Sequence, residues 1–435
     1  MKKSFSSRGL LLGLVFFAGN AHPQLDESER AIIDWVDANT VVPIELLENI
    51  VNIGSGTMNT AGVREVGSVL RAELDEVGLE TEWIELPSEM NRAGHLVGKL
   101  DGARGKKMLL IGHLDTVFEV DDGFQAYARE GNIATGPGID DMKSGDVVIV
   151  YALKALQAVG VLDGMQIIAF YTGDEEFAGR PLSISRRDLI ESGKWADVAL
   201  GFEAGQHFDG TDWATVARRG ASGWRLEVTG RQAHSSQVFS EEVGAGAIFE
   251  VARILNAFYD RVRGEEYLTF NAGAILGGTT VEYDYELNRG TAFGKTNVVP
   301  NTVVVHGGIR TISPEQLERA QEGMLSVIVN SLPHTTATLT FDEGYPAMAP
   351  TAGNMVLQEM FSEINEALGR GPMLALDPLK RGAADISFVA PYADALAGLG
   401  GLGKGGHSPS ESFEINSMSL AVKRAAILMY RLSNQ

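Results

Sequence analysis

The chain has no cysteine in its 435 residues. It can form no disulfide and offers no thiolate for nucleophilic chemistry. Any metal must therefore be held by His, Asp and Glu. Positive charge is scarce: 36 Lys and Arg face 57 Asp and Glu, for a formal charge of −21. Nucleic acid and anionic membrane are thereby disfavoured as partners. Repeats and low-complexity tracts are absent, and after the N-terminus no run is long and apolar enough to span a bilayer.

The first 21 residues stand apart. Lys2, Lys3 and Arg8 form a basic start, Gly9 to Ala18 is apolar, and Gly19-Asn20-Ala21 is small. This pattern predicts a signal peptide over 1–21, and with it a periplasmic or secreted protein. The missing cysteine excludes a lipid-anchored form.

The remaining length suits two or three domains. Amphipathic periodicity predicts helix over 26–53 and 61–78. Strand-like runs follow at 95–100, 107–113, 164–173 and 197–204, with a helix over about 143–159 between the second and third. Alternating strands and helices predict a mixed, largely parallel α/β catalytic domain with helices on both faces. Near residue 213 the pattern changes. Residues 214–235 alternate like half-buried strands, and helices are expected at 241–263 and 314–331. An inserted α+β segment over 214–345 thus divides the first domain into 22–213 and 346–435, with helices at 353–368 and 416–433. Residues 396–406 read as a Gly-rich loop.

Five motifs carry the chemistry: GHLDTV at 112–117, GPGIDDMK at 136–143, TGDEE at 172–176, GFEA at 201–204 and GHSPSE at 406–411. Most of them end an apolar strand, where open α/β sheets bind ligands. Together they bring His113, Asp115, Asp140, Asp141, Glu175, Glu176, Glu203 and His407. Two imidazoles, three carboxylate ligands and one spare carboxylate are the inventory for two divalent metals beside a general base. His113 and Asp115, at i and i+2, can point the same way beyond a strand end, the acid orienting the imidazole. Asp140 and Asp141 would repel each other unless one binds a cation, or unless Asp140 caps the following helix. Of Glu175 and Glu176, one can bind metal while the other moves a proton. Each motif alone also fits an ordinary acidic turn; their recurrence along the chain is the argument.

In this order and with an inserted segment, the motifs resemble those of the di-zinc exopeptidases and deacylases: bacterial glutamate carboxypeptidase, acetylornithine deacetylase, succinyl-diaminopimelate desuccinylase and aminoacylase. The resemblance covers nearly the whole chain after the signal segment and is nearest to exported glutamate carboxypeptidases. It implies that His113 and Glu203 bind one zinc and Glu176 and His407 another. Asp141, two residues before Lys143, would bridge them. It further implies Glu175 as general base, Asp115 behind His113, and a peptide bond after Asp141 that is often cis. Cobalt or manganese also suits such ligands. The inserted segment would be a lid and the surface of a homodimer. There His234 would reach a neighbouring active site, while Asn297 and Arg310 would hold a substrate carboxylate, for which a planar guanidinium is suited. The expected substrate is a small peptide or an N-acyl amino acid. An N-acyl amino acid amidohydrolase is the second reading and a non-catalytic binding protein the third. Two positions depart from the pattern. Ala204 stands where relatives often have Pro, and RGAAD at 381–385 stands where they usually read GGTD, which keeps Asp385 but loses a Thr hydroxyl.

Overall fold

The computed structural model describes residues 25–285 and 288–435. The expected signal segment lies outside them. Among the described residues no helix is long and apolar enough to cross a membrane.

The helix expected over 26–53 is two helices, α1 (Glu27–Ala38) and α2 (Val42–Val51). Asn39 closes the first. Pro43, which has no N–H to give, sits in the first turn of the second, where none is needed. Helix α3 (Thr60–Val77) starts at Asn59, whose side chain accepts from Gly62 N, and stops at Gly78 in the left-handed region.

The central sheet has six strands: β1 (Glu80–Ile84), β2 (His95–Leu100), β3 (Arg104–His113), β4 (Met165–Thr172), β5 (Val198–Gly201) and β6 (Asp394–Ala397). Their spatial order is β1-β2-β4-β3-β5-β6. The β4-β3, β3-β5 and β5-β6 pairs are parallel, and β1-β2 and β2-β4 are antiparallel. The sheet is thus mixed and largely parallel. The last two residues of strand β6 fall in the stretch read as loop, because three apolar residues, Ala395–Ala397, run straight into glycines.

The continuous apolar runs of β3 and β4 follow from burial on both faces. Leu110, Ile167, Ala169 and Tyr171 join one core with α1–α3, α4 (Ser144–Val159) and the C-terminal helix Ser417–Leu432. Leu109, Ile111, Ile168 and Phe170 join a second core with the helices at 187–195 and 386–389. Each such Leu, Ile or Phe side chain contributes about 1.5–3 kcal/mol on burial. Together they fix the carboxyl ends of β3, β4 and β5 side by side.

Residues 222–341 build a separate antiparallel sheet, in the order 269–278, 302–310, 222–230, 335–341. Trp224, Leu226 and Val228, two apart on one strand, pack in a core with Ile254 and Phe258 of helix Ala247–Arg261 and Met324 of helix Pro314–Ile328. The alternation expected over 214–235 is regular strand only at 222–230. Residues 218–221 instead run beside 345–348, joined by Arg218–Met348 and Ala221–Tyr345 bridges. The two chain crossings between the sheets therefore lie together.

Candidate metal centre

The strand ends deliver the expected side chains to one place. His113 is the last residue of β3. Glu175 and Glu176 lie in the turn after β4, Glu203 just after β5, and His407 in the loop beyond β6. Asp141 lies in an irregular turn before α4, and its peptide bond to Met142 is cis. Ligand atoms of His113, Asp141 and Glu176 all lie within 4.8 Å of one another. Asp141 sits between two imidazoles: His113 Nε2 is 3.3 Å from Oδ1 and His407 Nε2 is 3.1 Å from Oδ2. His407 Nε2 is also 3.2 Å from Glu176 Oε2. The His407 backbone adopts a positive φ of 63°, a conformation that a non-glycine residue rarely takes.

Asp115 is fully buried and organises this edge. Its Oδ1 accepts from Glu175 N at 2.9 Å, and its Oδ2 accepts from Glu176 N at 3.1 Å and Thr57 Oγ1 at 2.6 Å. Its Oδ1 lies 3.6 Å from His113 Nδ1, while its backbone oxygen is closer to that nitrogen, at 3.0 Å. The acid therefore positions the Glu175-Glu176 backbone as well as the imidazole.

The electrostatics show charge in need of a cation. Hydrogen bonds to Asp141 and Glu176 push His407 up to about 10. Burial pulls His113 down, yet Asp115 and Asp141 outweigh it and hold the imidazole well above its usual range. Burial raises both Glu175 and Glu176. Glu176 Oε1 is buried without a hydrogen-bond partner. A divalent cation would offset this concentrated negative charge, and the His/Asp/Glu donor set fits such an ion.

Several partnerships of the site could not be read along the chain. Glu411, which ends GHSPSE, is fully buried and accepts from Gly138 N, Asp140 N and Asp141 N at 3.1, 2.8 and 2.9 Å. It pins the turn that presents Asp141. Arg218 and Arg381 both donate to Glu203 Oε2. Arg186, also fully buried, joins Asp174 at 2.6 Å and Asp385 at 2.7 Å. Asp385 also accepts from Thr172 Oγ1 at 2.6 Å, so the acid kept in RGAAD is tied into the fold. Asp140 does not cap a helix: no side-chain cap is present, and its Oδ1 is buried and unpartnered. His113, Glu175, Glu203 and Arg218 line one cavity with Met142, Phe202, Ile386 and Ala397.

The inserted segment holds the other three expected residues, all exposed. His234 and Asn297 lie on adjacent segments, with Ser235 N donating to Asn297 O at 2.9 Å. Arg310 ends the strand 302–310 opposite Thr269. Among the described residues, none of the three makes a hydrogen bond or ion pair with the metal-type cluster.

An α/β sheet that gathers imidazoles and carboxylates along one edge, beside a further half-buried carboxylate, is the apparatus of a metal-dependent hydrolase. The model of peptidase family M20/M25/M40 matches residues 109–431, and the chain belongs to that family. It is 27% identical over 431 residues to carboxypeptidase G2 from Pseudomonas sp. (strain RS-16), a match covering 97% of this chain and 96% of that one. The fold is shared with aminopeptidase PepT from Bacillus cereus ATCC 10987, at a TM-score of 0.70 and 17% identity, covering 90% of this chain and 98% of that one. It is also shared with the Bacillus subtilis YXEP protein, described as a dinuclear metal binding peptidase, at 0.61 and 13%, covering 92% and 99%. The protein is a metallopeptidase related to carboxypeptidase G2, and the family implies a peptide substrate.

Proposed function

We propose that the protein is an exported zinc carboxypeptidase that cleaves the amide bond to a C-terminal amino acid. The observation that carries this reading is Glu175. It is a half-buried carboxyl lining the cavity beside His113, and among the described residues no ion pair ties it down. His113 and Glu203 would hold one metal, Glu176 and His407 the other, with Asp141 shared; zinc suits the set, as do cobalt and manganese. Bound there, the metals would supply polarisation of the scissile carbonyl and a lowered pKa for an attacking water.

The chain's own groups do the rest. Glu175 takes the proton from the water and returns it to the leaving nitrogen; burial, which raises its pKa, suits it to both steps. Asp115 holds the Glu175 backbone N–H, so the carboxylate keeps its aim. Arg310 and Asn297 grip the free carboxylate of the substrate and His234 steadies the oxyanion. All three are exposed on the inserted segment, so they reach the reacting bond only when that segment closes as a lid, from the same chain or from a partner in a homodimer. An N-acyl amino acid amidohydrolase is the second reading; it would use the same metal ligands and the same general base.

Glu175→Gln tests the assignment. Metal content should be unchanged while turnover falls by about 10²–10⁴-fold. A variant with the wild-type rate would remove Glu175 from this role.

A further inference from the structure

RGAAD at 381–385 departs from the motif in more than its lost Thr. Arg381 reaches Glu203, which shares a cavity with His113, and its Nη2 donates to Glu203 Oε2 at 3.1 Å. Arg218 donates to the same oxygen, and its Nη1 donates to Gly382 O at 3.3 Å, which ties the two arginines together. Arg218 is 2% exposed, and the Arg381 side chain is 13% exposed. Among the described residues neither guanidinium pairs with any other carboxylate. One carboxylate therefore serves two fixed cations.

The opposite side of Asp141 is built differently. Glu176 and His407 meet there, and among the described residues no Lys or Arg pairs with either. The two arginines bring two positive charges to Glu203, offset in part by Asp115 behind His113, while among the described residues no such cation stands beside Glu176. Like charges repel a divalent ion, and buried charges are poorly screened. Both guanidiniums also occupy Glu203 Oε2, which leaves only Oε1 open to an ion.

We propose that Arg218 and Arg381 make the two metal positions unequal, so that the ion at His113, Asp141 and Glu203 is exchangeable and the ion at Asp141, Glu176 and His407 is retained. This rests on the ligand assignment made under the proposed function. The arginines are positioning residues that act through Glu203. Free metal concentration then sets how much of the protein is fully loaded.

The test is metal binding to the full chain, followed by chelator competition with Zn²⁺ and by the visible absorption of bound Co²⁺. Wild type should bind two ions in steps separated by about a hundredfold or more. Arg381→Gln should tighten the weaker step by about tenfold or more, about 1.4 kcal/mol, and leave the tighter step in place. Arg381→Lys, which keeps the charge, should remain close to wild type. Arg218→Gln should shift the same step and keeps the test open if one variant fails to fold. An unchanged or weakened second step in both Gln variants overturns the proposal, as does Arg381→Lys behaving like Arg381→Gln. Glu203→Gln separates this from failure of the ligand assignment: it should abolish the weaker step, and two intact steps would refute Glu203 as a ligand whatever the arginines do.

Discussion

Glu411 offers the sharpest perturbation. Its carboxylate accepts three backbone N–H groups from the turn 138–141, which is more than 250 residues away in the chain. Glu411→Ala leaves all three without an acceptor. The Asp141 N–H is partly exposed and can turn to water, but the bonds at Gly138 and Asp140 are buried. Leaving a buried donor unmade costs about 1–3 kcal/mol, so the two together cost about 2–6 kcal/mol. That is a large share of an ordinary domain's stability, about 5–15 kcal/mol. Glu411→Gln should cost about half as much: its one carbonyl oxygen can serve Asp140 and Asp141, and its amide faces Gly138 with another donor. Urea unfolding of the metal-free proteins measures both. Because the turn presents Asp141, metal affinity should also fall by about 10–100-fold. An Ala variant with the wild-type unfolding midpoint and wild-type affinity would refute the claim that Glu411 holds this turn.

Other perturbations reach different parts of the structure. His407→Ala should bind one metal fewer per chain by elemental analysis, and finding two would contradict its assignment. Arg186→Leu should lower stability by about 3–5 kcal/mol, since it leaves Asp174 and Asp385 buried without their partner; an unchanged melting temperature would show that the network is dispensable. Burial works to raise Asp212, but hydrogen bonds and charge from Arg370, Arg424, Asn365 and His207 hold it down to about 2. Its folded value thus lies below its unfolded one, so its contribution is complete above about pH 4 and is lost as pH falls toward 2. Allowing for partial screening, that contribution is about 1–2 kcal/mol. Asp212→Asn should flatten the acid limb of stability by that amount, and an unaltered limb would exclude the network from acid unfolding.

What the sequence made legible was local. The runs ending in His113 and Thr172 are apolar without alternation because helices cover both faces, and the polar residues after them mark the sheet edge. The glycines before His407 are equally plain. Strand β6 was hidden because four residues carry too little pattern beside a glycine run. Partnerships set by tertiary contact were not readable: Glu411 with the turn at 138–141, Arg186 with Asp174 and Asp385, and the two arginines on Glu203. Their traces were the pair Arg218-Arg219, the Arg at the head of RGAAD and the last Glu of GHSPSE. The placement of His234, Asn297 and Arg310 depends on how one sheet closes over another, which spacing along a chain does not encode.

The central claim, metal-dependent release of a C-terminal amino acid, is tested most directly by measuring free amino acid from a panel of peptidyl and N-acyl substrates with metal-loaded and chelated protein. The account predicts release from peptides that stops on chelation and returns on adding metal. Release that survives complete metal removal, or no release from protein carrying two metals per chain, would contradict it.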